Sequence, residues 1–175
     1  MAVVTFDRVL VPLEFQPVAS DHPDAVEVGG HVIAVPPSMR RCLELGASLV
    51  GTGTLRLLHA TPSLTDSSIY GSPEGTWIPD ESLRELDARA QRAALKVLGD
   101  LGGRYAPDAH LELRAIPGAP TDVILEQAAH FSPDVIVLAT SGRGRAKRFI
   151  LGSTADKVIR QANCPVMVVP NHDHD

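Results

Sequence analysis

The chain has 175 residues, of which 44 % are hydrophobic and 21 % are charged. A chain of this size and composition can bury one ordinary hydrophobic core, which predicts a single domain over residues 1–175. Its formal net charge of −5 argues against a surface that binds nucleic acid, because such surfaces neutralise phosphates with basic side chains. The sequence has no run of about 18 apolar residues and its N-terminus lacks the signal-peptide pattern, so we expect a cytoplasmic protein without a membrane span.

The predicted elements alternate between strands and helices along the chain. In order they are strand 9–11, helix 36–50, strand 55–58, helix 79–98, strand 111–115, helix 120–131, strand 135–138, helix 152–162 and strand 166–169. Four of the strands are continuous apolar runs, which are typical of parallel strands covered on both faces. The third strand alternates apolar and charged residues, which favours a position nearer an edge. The whole pattern predicts an α/β fold with a doubly wound sheet and right-handed crossovers.

Two segments interrupt this alternation. Residues 16–35 follow the first strand and contain Gly29-Gly30 between short β-prone runs, which predicts a β-hairpin. Residues 61–78 are rich in Ser, Thr, Pro and Gly, and a connection of this length is either a functional lid or disordered. Cys42 and Cys164 are the only cysteines, which are too few for a disulfide framework, and we expect both to be small core residues.

The residues with the clearest chemical pattern follow the fourth strand. Ala139 to Arg145 contain two glycines, and Gly152-Ser153-Thr154 opens the last helix. Glycine lets backbone N–H groups approach an anion, and a helix N-terminus attracts phosphate oxygens. The alternative is that the glycines only shape a turn and that Ser153 only caps the helix.

The location of this segment favours ligand binding. Ligands of open α/β sheets bind at the carboxyl ends of the strands, at the point where the strand order reverses. With the order 3-2-1-4-5, the first and fourth strands flank that point. Residues 12–14 and 139–154 are then expected to meet there.

Residues 134–170 resemble the C-terminal signature of the universal stress protein family. ATP-binding members carry Gly, two residues, Gly, nine residues and then Gly-Ser or Gly-Thr. Gly142, the nine residues 143–151 and Gly152-Ser153 match this pattern, and Ala139 replaces the first glycine. The resemblance covers nearly the whole chain except residues 16–35. It implies the adenine nucleotide alpha-hydrolase-like fold, a doubly wound five-stranded parallel sheet of order 3-2-1-4-5, to which the Gly29-Gly30 pattern adds a predicted β-hairpin insertion after strand 1.

The same resemblance implies a site for an adenine nucleotide. Carried over by position, it places Pro12, Glu14 and Ala60 near the adenine and Gly118 beside the base. It places residues 139–142, including Ala139 and Thr140, near the ribose. Around the phosphates it places Gly142, Arg143, Gly152, Ser153 and Thr154. ATP is the leading ligand, AMP and ADP are alternatives, and Mg²⁺ would bridge the phosphates.

Two residues of this site differ from the family pattern, and a basic loop lies beside it in the sequence. Glu14 stands where the family usually has Asp, and Ala139 adds a methyl group where the backbone should lie close to the sugar. The basic side chains after Gly142 either contact phosphate or form the solvated face of a loop; they are Arg143, Arg145, Lys147 and Arg148.

We assign no catalytic residue and expect a protein that is not an enzyme. The sequence lacks the phosphate-binding loop of P-loop proteins, the nucleophile elbow and the dinucleotide fingerprint. The scattered histidines are expected to be surface or satisfied side chains rather than bases; they are His31, His59, His110 and His130. Slow ATP hydrolysis is a minor alternative.

The leading hypothesis is an ATP-binding stress-response or signalling protein in which nucleotide biases the conformation or the choice of a protein partner. The alternative is an interaction protein that binds no nucleotide because residues 16–35 cover the crevice. The apolar strand 166–169 lies at a sheet edge and needs covering, and family members commonly pair this strand, so we expect a homodimer.

Overall fold

The computed structural model describes residues 5–63, 80–140 and 152–170. Within these residues the chain forms seven strands and four helices. In order they are β1 Arg8–Pro12, β2 Ala25–Val28, β3 His31–Ala34, α1 Pro37–Val50, β4 Thr54–Thr61, α2 Asp80–Tyr105, β5 His110–Pro117, α3 Pro120–Phe131, β6 Val135–Ala139, α4 Ser153–Gln161 and β7 Val166–Val169.

Five of the strands form one parallel sheet. Its order is β5-β4-β1-β6-β7, which is the predicted order 3-2-1-4-5 when the strands of this sheet are counted along the chain. The alternating strand β5 lies at one edge, as its pattern predicted, and β7 lies at the other. The α/β fold class and the five-stranded parallel sheet are therefore confirmed.

The helices cover both faces of this sheet. Val9 and Val11 of β1 belong to the apolar cluster under α1 and α2, whereas Leu10 belongs to the cluster under α3 and α4. This division follows from the strand geometry, because successive side chains point to opposite faces. All three side chains are fully buried, so β1 contributes to both halves of the core.

Helix α1 packs very closely on the sheet. A Cβ atom added at Gly46 would lie 2.7 Å from Cγ2 of Val11 and 3.0 Å from Cδ1 of Leu55. The helix spans Pro37–Val50 and begins at the second residue of the Pro36-Pro37 pair, and Gly51, which follows its last residue, has a φ of 57°. The sequence places both boundaries well, because proline suits the first turn and glycine suits the position after the last.

Two predictions from sequence were wrong in detail. Helix α2 ends at Tyr105 rather than at residue 98, although three glycines lie in its last two turns. Gly102 faces the sheet, where an added Cβ would lie 2.5 Å from Cδ1 of Leu111, so close packing offsets the low helix propensity of glycine. Cys42 is buried as expected, but Cys164 is only half-buried at the margin of the core.

Residues 25–34 form an antiparallel pair of strands beside α2. β2 and β3 pair from Ala25–Ala34 to Val28–His31, and the turn residues Gly29 and Gly30 have φ angles of 60° and 76°. Positive φ at both central residues is typical of a type I′ turn, which explains the Gly-Gly sequence. The N–H of Gly29 donates a hydrogen bond to Oδ2 of Asp100 at 2.5 Å, which ties the turn to α2.

Most of the loop predicted at 61–78 and the segment from 141 to 151 lie outside the described residues. Among the helices that are described, none is both long enough and apolar enough to cross a membrane.

Candidate functional site

A cavity of about 470 Å³ opens at the carboxyl end of the central strands. Its floor is formed by the ends of β1, β4 and β6, and its walls by the first turns of α1, α3 and α4. The lining residues are Pro12, Leu13, Glu14, Phe15, Gln16, Ala34, Pro36, Ser38, Met39, Cys42, Leu58, His59, Ala60, Pro120, Ile124, Leu138, Ala139, Ser153, Thr154 and Ala155. This is the edge where the strand order reverses between β1 and β6, the usual position of ligands in open α/β sheets.

Three helix N-termini reach this cavity from both faces of the sheet. The residues that precede α1, α3 and α4 are Pro36, Ala119 and Gly152, and none of them makes a side-chain capping hydrogen bond. Uncapped first turns leave backbone N–H groups available, and the helix dipoles add positive potential. Three helices therefore direct hydrogen-bond donors towards one cavity, which favours an anionic ligand.

Ser153 is the first residue of α4 rather than its N-cap. It is exposed, and its neighbour Thr154 is half-buried in the cavity wall. Because Gly152 occupies the N-cap position, capping does not explain the hydroxyl at Ser153. The two hydroxyls are instead available to a ligand at the positive end of the helix.

An imidazole and an aromatic ring form another part of the wall. Nδ1 of His59 lies 2.9 Å from the carbonyl oxygen of Leu13, and the His59 ring stacks on Phe15 with 3.9 Å between ring centres. A carbonyl oxygen can only accept, so Nδ1 carries a proton and Nε2 is the free acceptor of the neutral ring. Burial lowers the pKa of His59, while the hydrogen bond to Leu13 and the charge of Glu14 raise it and offset part of that effect. The ring is therefore a neutral wall of the cavity near pH 7.

The inner wall is apolar. Met39, Cys42, Ile124 and Leu138 line it, and all four are buried. Burial raises the pKa of Cys42 to about 12, so this thiol stays protonated and its role is packing. A cavity with an apolar interior and polar groups at its rim suits a small molecule that has one apolar end and one anionic end.

The structure brings six of the predicted site residues to this cavity, namely Pro12, Glu14, Ala60, Ala139, Ser153 and Thr154. Three others are close in sequence but are not among the lining residues. Gly118 donates its N–H to the carbonyl of Thr61 at 3.0 Å, and Thr140 donates its N–H to that of Val169 at 3.0 Å. Gly152 is the N-cap of α4. Gly142 and Arg143 lie outside the described residues, as do the basic residues that follow them.

Sequence reasoning missed several residues of the wall, above all Ser38, Phe15 and His59. His59 directly precedes Ala60 at the end of a core strand, a position that could have identified it. Of segment 16–35, Gln16 and Ala34 line the cavity, while β2 lies against α2. Within the part of the chain that the structure describes, no three His, Cys, Asp or Glu side chains form a group that could hold a metal ion.

The model of the universal stress protein family matches residues 33–170. The chain therefore belongs to the universal stress protein family, and the resemblance inferred from residues 134–170 is confirmed.

Two relatives show how far the similarity extends. A universal stress protein from Methanocaldococcus jannaschii is 36 % identical over 104 residues, which are 59 % of this chain and 58 % of that protein. One from Thermus aquaticus is 33 % identical over 90 residues, which are 51 % of this chain and 62 % of that protein. The matched region spans about three-fifths of the length of these relatives.

Solved structures of the family share the fold. The universal stress protein UspA from Lactobacillus plantarum superposes with a TM-score of 0.60 at 20 % identity, covering 97 % of this chain and 99 % of that one. A family protein from Arabidopsis thaliana with AMP bound gives a TM-score of 0.50 at 20 % identity, with 94 % and 92 % coverage. A universal stress protein in complex with cAMP gives 0.51 at 19 % identity, with 96 % and 99 % coverage.

Proposed function

We propose that this chain is an adenine-nucleotide-binding universal stress protein with a stress-response or signalling role. The observation that carries the proposal is the cavity of about 470 Å³ at the ends of β1 and β6, which three uncapped helix N-termini reach. The fold-sharing proteins with AMP and cAMP support the class of ligand. ATP is the proposed ligand, with AMP and ADP as the related nucleotides to compare.

The proposed ligand lies with its base at the strand ends and its phosphates at α4. The base packs against Pro12 and Ala60 with the carboxylate of Glu14 beside it, and the ribose lies near Ala139. Ser153 and Thr154 donate hydrogen bonds to phosphate oxygens at the positive end of the helix. Mg²⁺, if bound, is held through the phosphates rather than by a cluster of protein ligands.

The bound nucleotide acts as a signal rather than as a substrate. The neutral His59 ring and the hydroxyls of the wall bind and orient a ligand, and we assign no side chain the role of a base. We place the protein in the cytoplasm as a homodimer that pairs the edge strand β7, where Met167 is 37 % exposed. An exposed apolar edge strand favours self-association, and light scattering of wild type against Met167→Lys tests the dimer.

Calorimetric titration with ATP, ADP and AMP tests nucleotide binding. Wild type is expected to bind at least one of them, and Ser153→Glu is expected to weaken ATP binding by about tenfold or more through like-charge repulsion. An acidic residue in the first turn of a helix favours folding, so the melting temperature of this variant should not fall. A loss of affinity with unchanged stability would therefore report on the site itself.

The matched control is Ser48→Glu, which places the same change at an exposed position of α1 away from the cavity. It should bind ATP as wild type does. The proposal fails if wild type shows neither heat nor a thermal shift with millimolar nucleotide, or if Ser153→Glu binds ATP unchanged.

A further inference from the structure

We propose that Ser38, at the start of α1, is a second phosphate-binding residue of this cavity and donates hydrogen bonds to an anionic oxygen of the nucleotide. The inference rests on the proposed function and deepens it, since it adds a binding point on the opposite face of the sheet from α4. Ser38 does not belong to the phosphate contacts that the family resemblance implies.

The side chain of Ser38 carries a buried hydroxyl without a partner. Ser38 is 2 % exposed and lines the cavity, yet its Oγ has no hydrogen-bond partner among the residues that the structure describes. Burying a hydroxyl without a partner costs free energy, so such groups are uncommon in native proteins. The other unpartnered buried hydroxyl in the described residues, that of Thr61, is not in the cavity wall. Because Ser38 belongs to the cavity wall, a ligand atom is a partner that this orphan donor can gain.

The backbone N–H of Ser38 is a second hydrogen-bond donor at the same place. Pro36 offers no capping side chain and Pro37 has no N–H, while Met39 and Arg40 both donate their N–H to the carbonyl of Pro36 at 3.0 and 3.2 Å. The N–H of Ser38 has no protein acceptor in the described part of the chain. Ser38 thus presents two donors together at the positive end of a helix of 14 residues.

The charges around this helix terminus favour an anion. The first turn of α1 contains no acidic residue and includes Arg40, whose Nε donates to the carbonyl of Val35 at 3.0 Å. Asp24 lies 4.0 Å from the Arg40 guanidinium and offsets part of its charge. Glu14 also lines the cavity, but on the strand side rather than on α1. Two donors in a positive potential select a phosphate oxygen over a cation or another donor.

Both helix termini border one cavity whose volume suits a single small ligand. α1 covers one face of the sheet and α4 covers the other, so a phosphate chain bound between them is held from both sides. Adenosine lacks that chain and therefore gains nothing from Ser38. This difference separates a phosphate contact from a contact with the base or the sugar.

The test compares the binding of ATP and adenosine to wild type and to Ser38→Ala by calorimetry. The variant is expected to bind ATP about tenfold more weakly, which corresponds to about 1.4 kcal/mol, and to bind adenosine as wild type does. Its melting temperature without ligand should equal or exceed that of wild type, because the change removes an unpaired buried hydroxyl. Ser48→Ala, at an exposed position of the same helix, is the matched control and should change neither affinity.

The outcomes separate the two proposals. If wild type binds ATP and Ser38→Ala binds it equally well, the inference about Ser38 is wrong while nucleotide binding stands. An equal loss for ATP and adenosine also overturns it, because the contact is then not to phosphate. If wild type binds no nucleotide, the proposed function fails and this inference fails with it. If the alanine variant does not fold, Ser38→Cys replaces it, because cysteine has a similar size but is a weaker donor. This variant should show the same selective loss of ATP binding.

Discussion

The two faces of the central sheet are packed by different means. Under α1 and α2 the core is mainly apolar, although Ser38 of α1 and Asp87 of α2 are buried as well, and the helices approach the strands closely at Gly46 and Gly102. Under α3 and α4 the core includes Arg56, which is 8 % exposed. Its guanidinium lies 3.8 Å from the centre of the Phe131 ring and 2.9 Å from a carboxylate oxygen of Glu112.

This difference shows how each face positions its wall of the cavity. On the first face, the missing side chain of Gly46 sets the distance between α1 and β1, and thereby the place of Ser38. On the second face, the Arg56 side chain fills the space between β4 and α3 and is held by hydrogen bonds. The first face should therefore tolerate no added volume, and the second should depend on polar contacts as well as on packing.

Arg56→Ala should have the largest effect, because it opens a cavity and removes both the Phe131 contact and the hydrogen bonds to Glu112 and Gln127. We expect the free energy of unfolding to fall by about 2–4 kcal/mol, measured by urea denaturation. Glu112 keeps its ion pair with Arg114, which limits the loss.

Arg56→Met is the control for packing, because it retains an unbranched side chain without the charge. Glu112 is 29 % exposed and keeps its ion pair with Arg114, so the change leaves no buried charge without a partner, and we expect a loss of about 1 kcal/mol or less. If Arg56→Ala changes the stability by less than about 0.5 kcal/mol, the second face does not depend on this side chain and the contrast between the faces is wrong.

Gly46→Ala tests the close approach on the first face. The added methyl group would lie 2.7 Å from a methyl of Val11, which is fully buried and has little freedom to move. We expect a net loss of about 1–2 kcal/mol, because overpacking outweighs the gain in helix propensity. Val11→Ala in the same molecule should reduce this penalty, which a double-mutant cycle measures.

Gly103→Ala is the matched control on α2, where an added Cβ meets nothing within 4 Å. This exposed helical position should gain up to about 1 kcal/mol from the higher helix propensity of alanine. A gain in both variants would show that α1 has room to shift, and Gly46 would then not fix its distance from the sheet.

The strand order was predictable because apolar runs, helix periods and the family resemblance all indicate the same sheet. The end of α2 was not, because Gly99, Gly102 and Gly103 weaken the local helix signal and only the sheet beneath shows why glycine is used. The residues at the strand ends and at the start of α4 could be assigned to the site from position, since parallel strands end at one edge. The contacts that these residues make could not be predicted from the sequence.

The unpaired hydroxyl of Ser38 and the contacts of His59 show what sequence alone cannot supply. Neither residue carries a local motif, and the hydrogen bond between His59 and Leu13 joins residues that are 46 positions apart. The unpaired state of the Ser38 hydroxyl is likewise a property of packing around α1 and not of the residues beside it. Such features depend on which elements meet at the cavity, and this is known only once the sheet is assembled.

His59, at the cavity end of β4, makes the folding stability of the first face depend on pH. Alternation along the strand places it on the same face as Leu55 and Leu57, whereas Arg56 points to the other. Burial lowers the pKa of His59, so as the pH falls below the unfolded value of about 6.5 the unfolded chain takes up a proton that the folded chain does not. The fold therefore loses stability as the pH falls below that value, whereas above it His59 has no such effect. The free energy of unfolding falls by at most about 1.4 kcal/mol per pH unit.

His59→Asn keeps a donor near the Leu13 carbonyl but cannot titrate, so it should lose less stability than wild type between pH 7 and pH 5. Urea denaturation at several pH values measures the difference, and His110→Asn is the control because that side chain is exposed at the start of β5. The control should follow the wild-type pH dependence closely. If His59→Asn follows it too, the ring is accessible to protons in the folded protein, and the first face is less well sealed at the cavity than the burial of its neighbours indicates.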